Sequence, residues 1–204
     1  MNKTVLVLGL LIFSGAAGAV TAGHTHQETT QSGKATFAGG CFWCMEEAFE
    51  KVDGVSSVIS GYAGGTKASP TYEEVSSGRT GHTEAVEVIY DPGSVTYGEL
   101  LEVFWRNIDP TDGGGQFCDK GSQYRSAIFY RDEEQQRLIE ESLQSLEDTK
   151  PFDEPIVTEI APASMFYPAE DYHQDYYKRN PIRYRYYKYG CGRAQRLKAL
   201  WGPK

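Results

Sequence analysis

The hydrophobic pattern changes period several times along the chain, and each change marks an element. Thr83-Glu-Ala-Val-Glu-Val-Ile-Tyr90 alternates polar and apolar side chains until Asp91-Pro92 interrupts it, which predicts a strand with one buried face. Lys34-Ala-Thr-Phe37, Gly54-Val-Ser-Ser-Val-Ile-Ser-Gly-Tyr62, Tyr124-Arg-Ser-Ala-Ile-Phe-Tyr130 and Pro155-Ile-Val-Thr-Glu-Ile-Ala161 are further β-rich runs, the second closed by Gly64-Gly65. Between them the spacing turns helical: Met45 to Lys51, Pro70 to Val75 with Gly78 placed to end it, Val95 to Trp105, Asp132 to Leu146, and Gly192 to Trp201. Thr96, followed three residues later by Glu99, has the capping-box pattern. Asp109 to Gly121 is a glycine-rich loop long enough to carry function, and beyond Phe166 the chain becomes tyrosine-rich. Strands and helices mix without strict alternation, repeat or linker, which predicts one α+β layered domain rather than a doubly wound sheet.

The first 23 residues follow another logic. Lys3 supplies a basic start, Val5 to Phe13 an apolar core, and Ala16 to Ala22 a small-residue cleavage region. This pattern predicts an export signal. The apolar run is short of the roughly 20 residues that a membrane span needs. Residues 24–33 are polar and without apolar periodicity, so a flexible leader is expected there, and His24 and His26 read as solvated rather than metal-binding. The folded domain is then 34–204, and the location periplasmic or secreted. Of the 204 residues 40% are hydrophobic, enough for one core. The net charge of −8, with no Lys/Arg cluster, argues against nucleic acid and anionic membrane surfaces as partners.

The chemistry gathers at Ala38-Gly-Gly-Cys-Phe-Trp-Cys-Met-Glu46. A strand followed by paired glycines and a helix puts Cys41 at a helix N-terminus, where free N–H groups and the dipole favour a thiolate. Phe42 and Trp43 would give that sulfur an apolar wall. Cys41 and Cys44 form a C-x-x-C, which by itself suggests dithiol redox chemistry or a passive exported disulfide. The other cysteines are Cys118 and Cys191, so two structural disulfides are one reading; no second close Cys/His pair completes a zinc site. Glu84 begins a strand whose next residues look buried, and a carboxyl in such a place holds its proton near neutral pH. Asp119, Tyr124 and Arg125 gather at a loop-to-strand junction, and Tyr72 reads as a core or rim aromatic.

Taken in series, Gly40-Cys-Phe-Trp-Cys-Met-Glu46, Ser60-Gly-Tyr-Ala-Gly-Gly65, Pro70-Thr-Tyr-Glu-Glu-Val75, Gly81-His-Thr-Glu-Ala-Val86, Gly121-Ser-Gln-Tyr-Arg-Ser126 and His173-Gln-Asp-Tyr-Tyr-Lys-Arg-Asn-Pro181 resemble the A-type peptide methionine sulfoxide reductases. The resemblance runs from about residue 34 to 181 and fades in the C-terminal tail. It implies a single-domain, two-layer α+β sandwich of the ferredoxin-like (α-β plait) kind with a mixed sheet. It also implies reduction of the S epimer of methionine sulfoxide, in proteins or free. By the same resemblance Cys41 is the nucleophile, Glu84 the acid for the sulfoxide oxygen, Tyr72 and Tyr124 its hydrogen-bond donors, and Asp119 an ordering group. Phe42 and Trp43 would receive the methyl group.

A sulfoxide oxygen leaves poorly until protonated, so an acid and aimed donors are what the reaction needs. Cys41 would end as a sulfenic acid that a second thiol must condense with. Cys191, flanked by Gly190 and Gly192, and the adjacent Cys44 both remain candidates, with Cys118 an unreactive or secondary thiol. The implied reductant is thioredoxin or a thioredoxin-like protein, replaceable by dithiothreitol, with no dissociable cofactor, no metal and a monomeric chain. The rival readings are a thioredoxin-like thiol-disulfide oxidoreductase, which leaves Glu84, Tyr72 and Tyr124 without a task, and a stapled secreted binding module.

Overall fold

The computed structural model describes Met1 and residues 32–202; the expected signal peptide and the leader up to residue 31 lie outside these. Eight strands are β1 (Gly33–Gly39), β2 (Val55–Ala63), β3 (Thr83–Tyr90), β4 (Gly115–Gln116), β5 (Asp119–Lys120), β6 (Ser126–Tyr130), β7 (Glu159–Pro162) and β8 (Tyr167–Pro168). Seven helices are α1 (Phe42–Glu50), α2 (Tyr72–Ser76), α3 (Tyr97–Trp105), α4 (Glu133–Thr149), α5 (Tyr176–Arg179), α6 (Pro181–Gly190) and α7 (Arg193–Trp201). Six strands form one sheet in the order β7-β6-β1-β3-β2-β8, antiparallel throughout except where β7 joins β6 in parallel. The chain is thus a single α+β domain on a mainly antiparallel, mixed sheet.

Alternation along each strand sorts the two faces of the sheet. Phe37 of β1 points to the helical side, where its ring stacks 4.9 Å from Phe49 of α1 and 5.2 Å from Phe104 of α3. Its neighbour Ala38 points the other way, into a layer of small residues with Ala63, Ala85 and Ala127 that Ala163 and Phe166 cover. The bulky face carries the core and the small face lets the returning chain lie close. Capping follows the sequence: Thr96 and Thr71 both complete capping boxes, and the Asp132 carboxylate accepts from the Gln135 N–H at 2.8 Å.

Five stretches differ from their sequence expectation. Helix α1 starts at Phe42 rather than Met45, because Cys41 is itself the N-cap. The strand expected from Tyr124 begins at Ser126; the Tyr124 N–H bonds the Gly121 carbonyl at 3.0 Å, closing a 3₁₀ turn. Strand β7 is likewise shorter than expected and starts only at Glu159, which pairs with Ala127 of β6. The tyrosine-rich tail is helical as α5 and α6, and Gly192, at φ +71°, caps α7 rather than lying inside it.

Strand β8 brings the chain after Phe166 against β2 at Gly61, which pairs with Pro168. A Cβ at Gly61 would lie 2.4 Å from the Tyr167 carbonyl oxygen and 2.4 Å from the Phe166 ring. Gly61→Ala is therefore expected to lose about 1–3 kcal/mol. A urea midpoint unchanged from wild type would refute this close approach.

Candidate active site

Strand β1 ends at Gly39, and Gly40, at φ +77°, makes the turn into α1. A side chain at Gly40 would strike Gln116, at 2.5 Å from its Cβ. Cys41 caps the helix through its own carbonyl, which accepts from the Cys44 N–H at 3.1 Å. The next free amide, Phe42 N–H, donates to Glu84 Oε2 at 3.0 Å. Glu84 stands on β3 opposite Tyr62 of β2, so the sheet presents the carboxyl to the N-terminus of α1.

Burial dominates the behaviour of this acid. Glu84 is 4% exposed, and desolvation pushes its pKa up to about 8, with Asp119 and Cys44 adding repulsion, although the Phe42 N–H pulls the other way. At pH 7 it holds its proton. Around it Cys41, Phe42, Trp43, Tyr72, Tyr124, Asp119 and Tyr187 line a small cavity of about 70 Å³. All seven residues singled out from the sequence as catalytic or substrate-binding meet there.

Each wall is held from behind. Tyr72 opens α2, and its backbone N–H donates to Glu170 Oε1 at 2.8 Å. Burial, with Glu84 nearby, pushes the Tyr72 phenol up to about 12 and raises that of Tyr124 as well, so both are neutral donors at pH 7. Asp119 accepts from the Tyr187 hydroxyl at 2.5 Å, and burial raises its pKa. The Trp43 ring stacks on Tyr176 at 3.7 Å and meets Tyr187 edge-on at 5.9 Å; Phe42 lies 4.9 Å from His173.

The sulfurs depart from expectation in two ways. Cys41 is not the low-pKa thiol: burial, the Cys44 sulfur and Glu84 raise it, against the Tyr187 hydroxyl that lowers it. Cys44 is the one lowered, by the hydrogen bond from Cys41, against its burial, with Arg193 and Lys188 adding attraction. Second, Cys118 is no free thiol. It is disulfide-bonded to Cys191 with Cα atoms 4.9 Å apart, while Cys41 and Cys44 are free and buried. Of the two candidate resolving groups, Cys44 thus stands beside Cys41 and Cys191 is already bonded.

Tyr187, Tyr176, His173, Glu170 and Arg193 take part here without having been singled out. The tyrosine-rich tail was the visible signal for the first two. Nothing in the local pattern marks Arg193, which is 4% exposed and donates to the Asn107 carbonyl at 2.5 Å.

A sequence model of the family described as peptide methionine sulfoxide reductase matches residues 33–204. The chain belongs to the peptide methionine sulfoxide reductase family. The peptide methionine sulfoxide reductase MsrA of Bacillus licheniformis is 53% identical over 170 residues, covering 83% of this chain and 94% of that protein. Its counterpart in Bacillus subtilis is 53% identical over 170 residues, covering 83% and 96%. Among solved structures, methionine sulfoxide reductase A of Corynebacterium diphtheriae matches with TM-score 0.65 at 36% identity, over 76% of this chain and 78% of that one. Reduced Mxr1 of Saccharomyces cerevisiae matches with TM-score 0.65 at 33% identity, over 76% and 89%.

In this member of the peptide methionine sulfoxide reductase family the buried acid leaves a mark on stability. Folded Glu84 keeps a proton that the unfolded chain releases above the ordinary value of 4.5. Its contribution is fully present below that pH and is lost as pH rises through about 8. Glu84→Gln is expected to lose less stability than wild type between those two pH values. Parallel pH–stability curves for the two proteins, from urea melts, would contradict the assignment.

Proposed function

We propose that this chain reduces the S epimer of methionine sulfoxide, in proteins and as the free amino acid, to methionine. One observation carries the reading: a thiol and a carboxyl that is neutral at pH 7 share a small cavity walled by Phe42 and Trp43. The substrate's methyl group lies on that wall, which selects it by about 1–3 kcal/mol. Its oxygen points to Glu84, Tyr72 and Tyr124. Cys41 gives its proton to the Cys44 thiolate as its sulfur attacks the sulfoxide sulfur, and Glu84 protonates the departing oxygen. Asp119 accepts the Tyr187 hydroxyl proton and so holds that ring in the cavity wall beside Cys41. The oxygen, released as hydroxide, attacks the Cys41 sulfur and breaks its bond to the substrate sulfur; methionine leaves, and Cys41 is a sulfenic acid.

Cys44 then resolves it. As N-cap, Cys41 lies outside the helix proper, so the pair has the helix-start arrangement in which a C-x-x-C closes readily. The Cys44 thiol, which now carries the proton from Cys41, attacks the Cys41 sulfenic sulfur; that proton leaves with the hydroxyl as water and a Cys41–Cys44 disulfide forms. No dissociable cofactor enters. A thioredoxin-like dithiol protein attacks the Cys118–Cys191 disulfide, whose Cys118 is exposed, and Cys191, once released, passes the electrons inward. The export signal read in residues 1–23 supports a periplasmic or secreted monomer that repairs oxidised exported proteins. The run β6-β1-β3-β2, all antiparallel, with α1 and α3 as its crossovers, supports reading the core as an α-β plait.

Turnover of the two sulfoxide epimers with dithiothreitol tests the reading. Wild type is expected to reduce the S epimer only, and Cys41→Ser neither. Glu84→Gln is expected to lower kcat about 10²–10⁴-fold. Because the working form of Glu84 is protonated, wild-type kcat should fall as pH rises through about 8. Rapid disulfide exchange without sulfoxide reduction would instead make the chain a thiol-disulfide oxidoreductase.

A further inference from the structure

Behind the C-x-x-C lies a second, larger concavity that the reaction as described does not use. It is a groove of about 1000 Å³ between α1, α3 and α7, and no residue that lines it also lines the sulfoxide cavity. From α1 and its C-cap come Cys44, Glu47, Ala48 and Lys51, at the i, i+3, i+4, i+7 spacing of one helix face. Cys44 and Arg193, 5% and 4% exposed, form its floor, and Val52, Val103 and Leu197 its apolar sides. Cys41 reaches the substrate cavity and Cys44 reaches this groove.

The charge of the groove is opposite to that of the chain. Five of its lining side chains are cationic and one, Glu47, is a carboxylate, in a chain of net charge −8. Lys51 and Lys188 are both ion-paired with Glu47. Among the described residues Arg106, Arg193 and Lys198 have no carboxylate within ion-pair distance; Arg106 lies over the Trp201 ring at 4.9 Å, and Arg193 donates only to carbonyls and the Met45 sulfur. Arg106 and Lys198 are exposed at the mouth. Positive charge along a partly enclosed groove concentrates anions inside it.

We propose that this groove admits a small anionic thiol, which reduces the Cys41–Cys44 disulfide from the side opposite the substrate. The inference rests on Cys44 as the resolving thiol. A thiol on the surface of a folded protein meets the exposed Cys118–Cys191 bond first, whereas a small molecule of ligand-pocket size reaches the floor of the groove. Its thiolate attacks the Cys44 sulfur, the Cys41–Cys44 bond breaks, and Cys41 leaves as a thiolate that takes up the proton the attacking thiol released. A second thiol attacks the sulfur attached to Cys44, releasing a small-molecule disulfide and the Cys44 thiolate. Two thiols supply two electrons, and the cycle closes without a protein donor.

The test uses 2-mercaptoethanesulfonate and 2-mercaptoethanol, one anionic and one neutral, as sole reductants of the full chain. For each the kcat/KM is measured at low salt in wild type and in Arg106→Glu/Lys198→Glu. The anionic-to-neutral ratio is expected to fall about tenfold in the variant, and high salt to shrink that difference. Neither residue touches the substrate cavity, so activity with mercaptoethanol should be unchanged. An unchanged ratio, or equal losses with both thiols, overturns the inference. A readout independent of turnover is site-mapped alkylation of Cys44 by iodoacetate relative to iodoacetamide. Its ratio should fall in the same variant, and a ratio that does not fall also overturns the inference. If wild type reduces no sulfoxide yet the alkylation ratio responds, the groove stands and the reductase reading fails.

Discussion

The contact between the Phe42 N–H and the Glu84 carboxyl joins the two layers of the molecule at the point where chemistry is possible. Strand β3 is paired on both sides, by β1 and β2, so the backbone of Glu84 has no freedom to follow the helix. Helix α1 starts immediately after β1, so its first amides have no freedom to follow the carboxyl. The register of the sheet therefore sets the separation of sulfur and acid. Two opposed effects meet in this one group. A helix N-terminus favours a carboxylate, and burial favours the acid. Burial prevails, since a single N–H at 3.0 Å does not replace the water lost from a group that is 4% exposed. An acid held neutral in this way can give a proton at neutral pH.

Keeping that site dry falls to the C-terminal segment. Helix α6 is tied to α1 through Glu47, which accepts from the Tyr184 hydroxyl at 2.6 Å and pairs with Lys188. One turn beyond Tyr187 the Cys191 N–H donates to the Tyr187 carbonyl at 2.9 Å, and Cys191 is bonded to Cys118, next to Asp119. Tyr187 and Asp119, themselves hydrogen-bonded, thus stand between a helix anchor and a covalent one. The tail is a wall of the cavity and not a free arm carrying a thiol.

How much of this was legible depends on whether the signal was local. The alternation of Thr83 to Tyr90, the Thr96 capping box and the helix after Asp132 are properties of neighbouring residues, and the structure keeps them. The cavity members Cys41, Tyr72, Glu84 and the pair Asp119 and Tyr124 come from four separate segments; local chemistry marked Cys41, Glu84 and the Asp119–Tyr124 junction as candidates, and the resemblance joined them into one site. What remained hidden was pairwise. The Cys118–Cys191 bond joins positions 73 residues apart, and sequence arithmetic leaves such pairings open. The ordering of the two thiol acidities was hidden too, because the helix-start argument treats Cys41 alone. Glu84 lies on one side of the pair and Arg193 and Lys188 on the other, and none of these is near it in sequence except through the fold.

That last asymmetry gives the order of the two cysteines a physical meaning. Cys41 faces the buried carboxyl of Glu84, with the half-buried Asp119 in the same cavity wall, and a lasting negative charge is unfavourable there. Cys44, three residues on, faces Arg193 and Lys188, where it is favourable. The spacing of the C-x-x-C therefore straddles an electrostatic step, with a shared proton held on the acidic side. In the proposed reaction Cys41 loses that proton only as it attacks, and the neighbour that accepts it is the group proposed to close the disulfide. Reversing the two environments would leave a resting thiolate beside Glu84. Its charge would further raise the proton affinity of the acid, and a proton bound more tightly is delivered less readily to the departing oxygen. Dividing the charge between two sulfurs lets the nucleophile and the acid both stay neutral, and close together, until the substrate is between them.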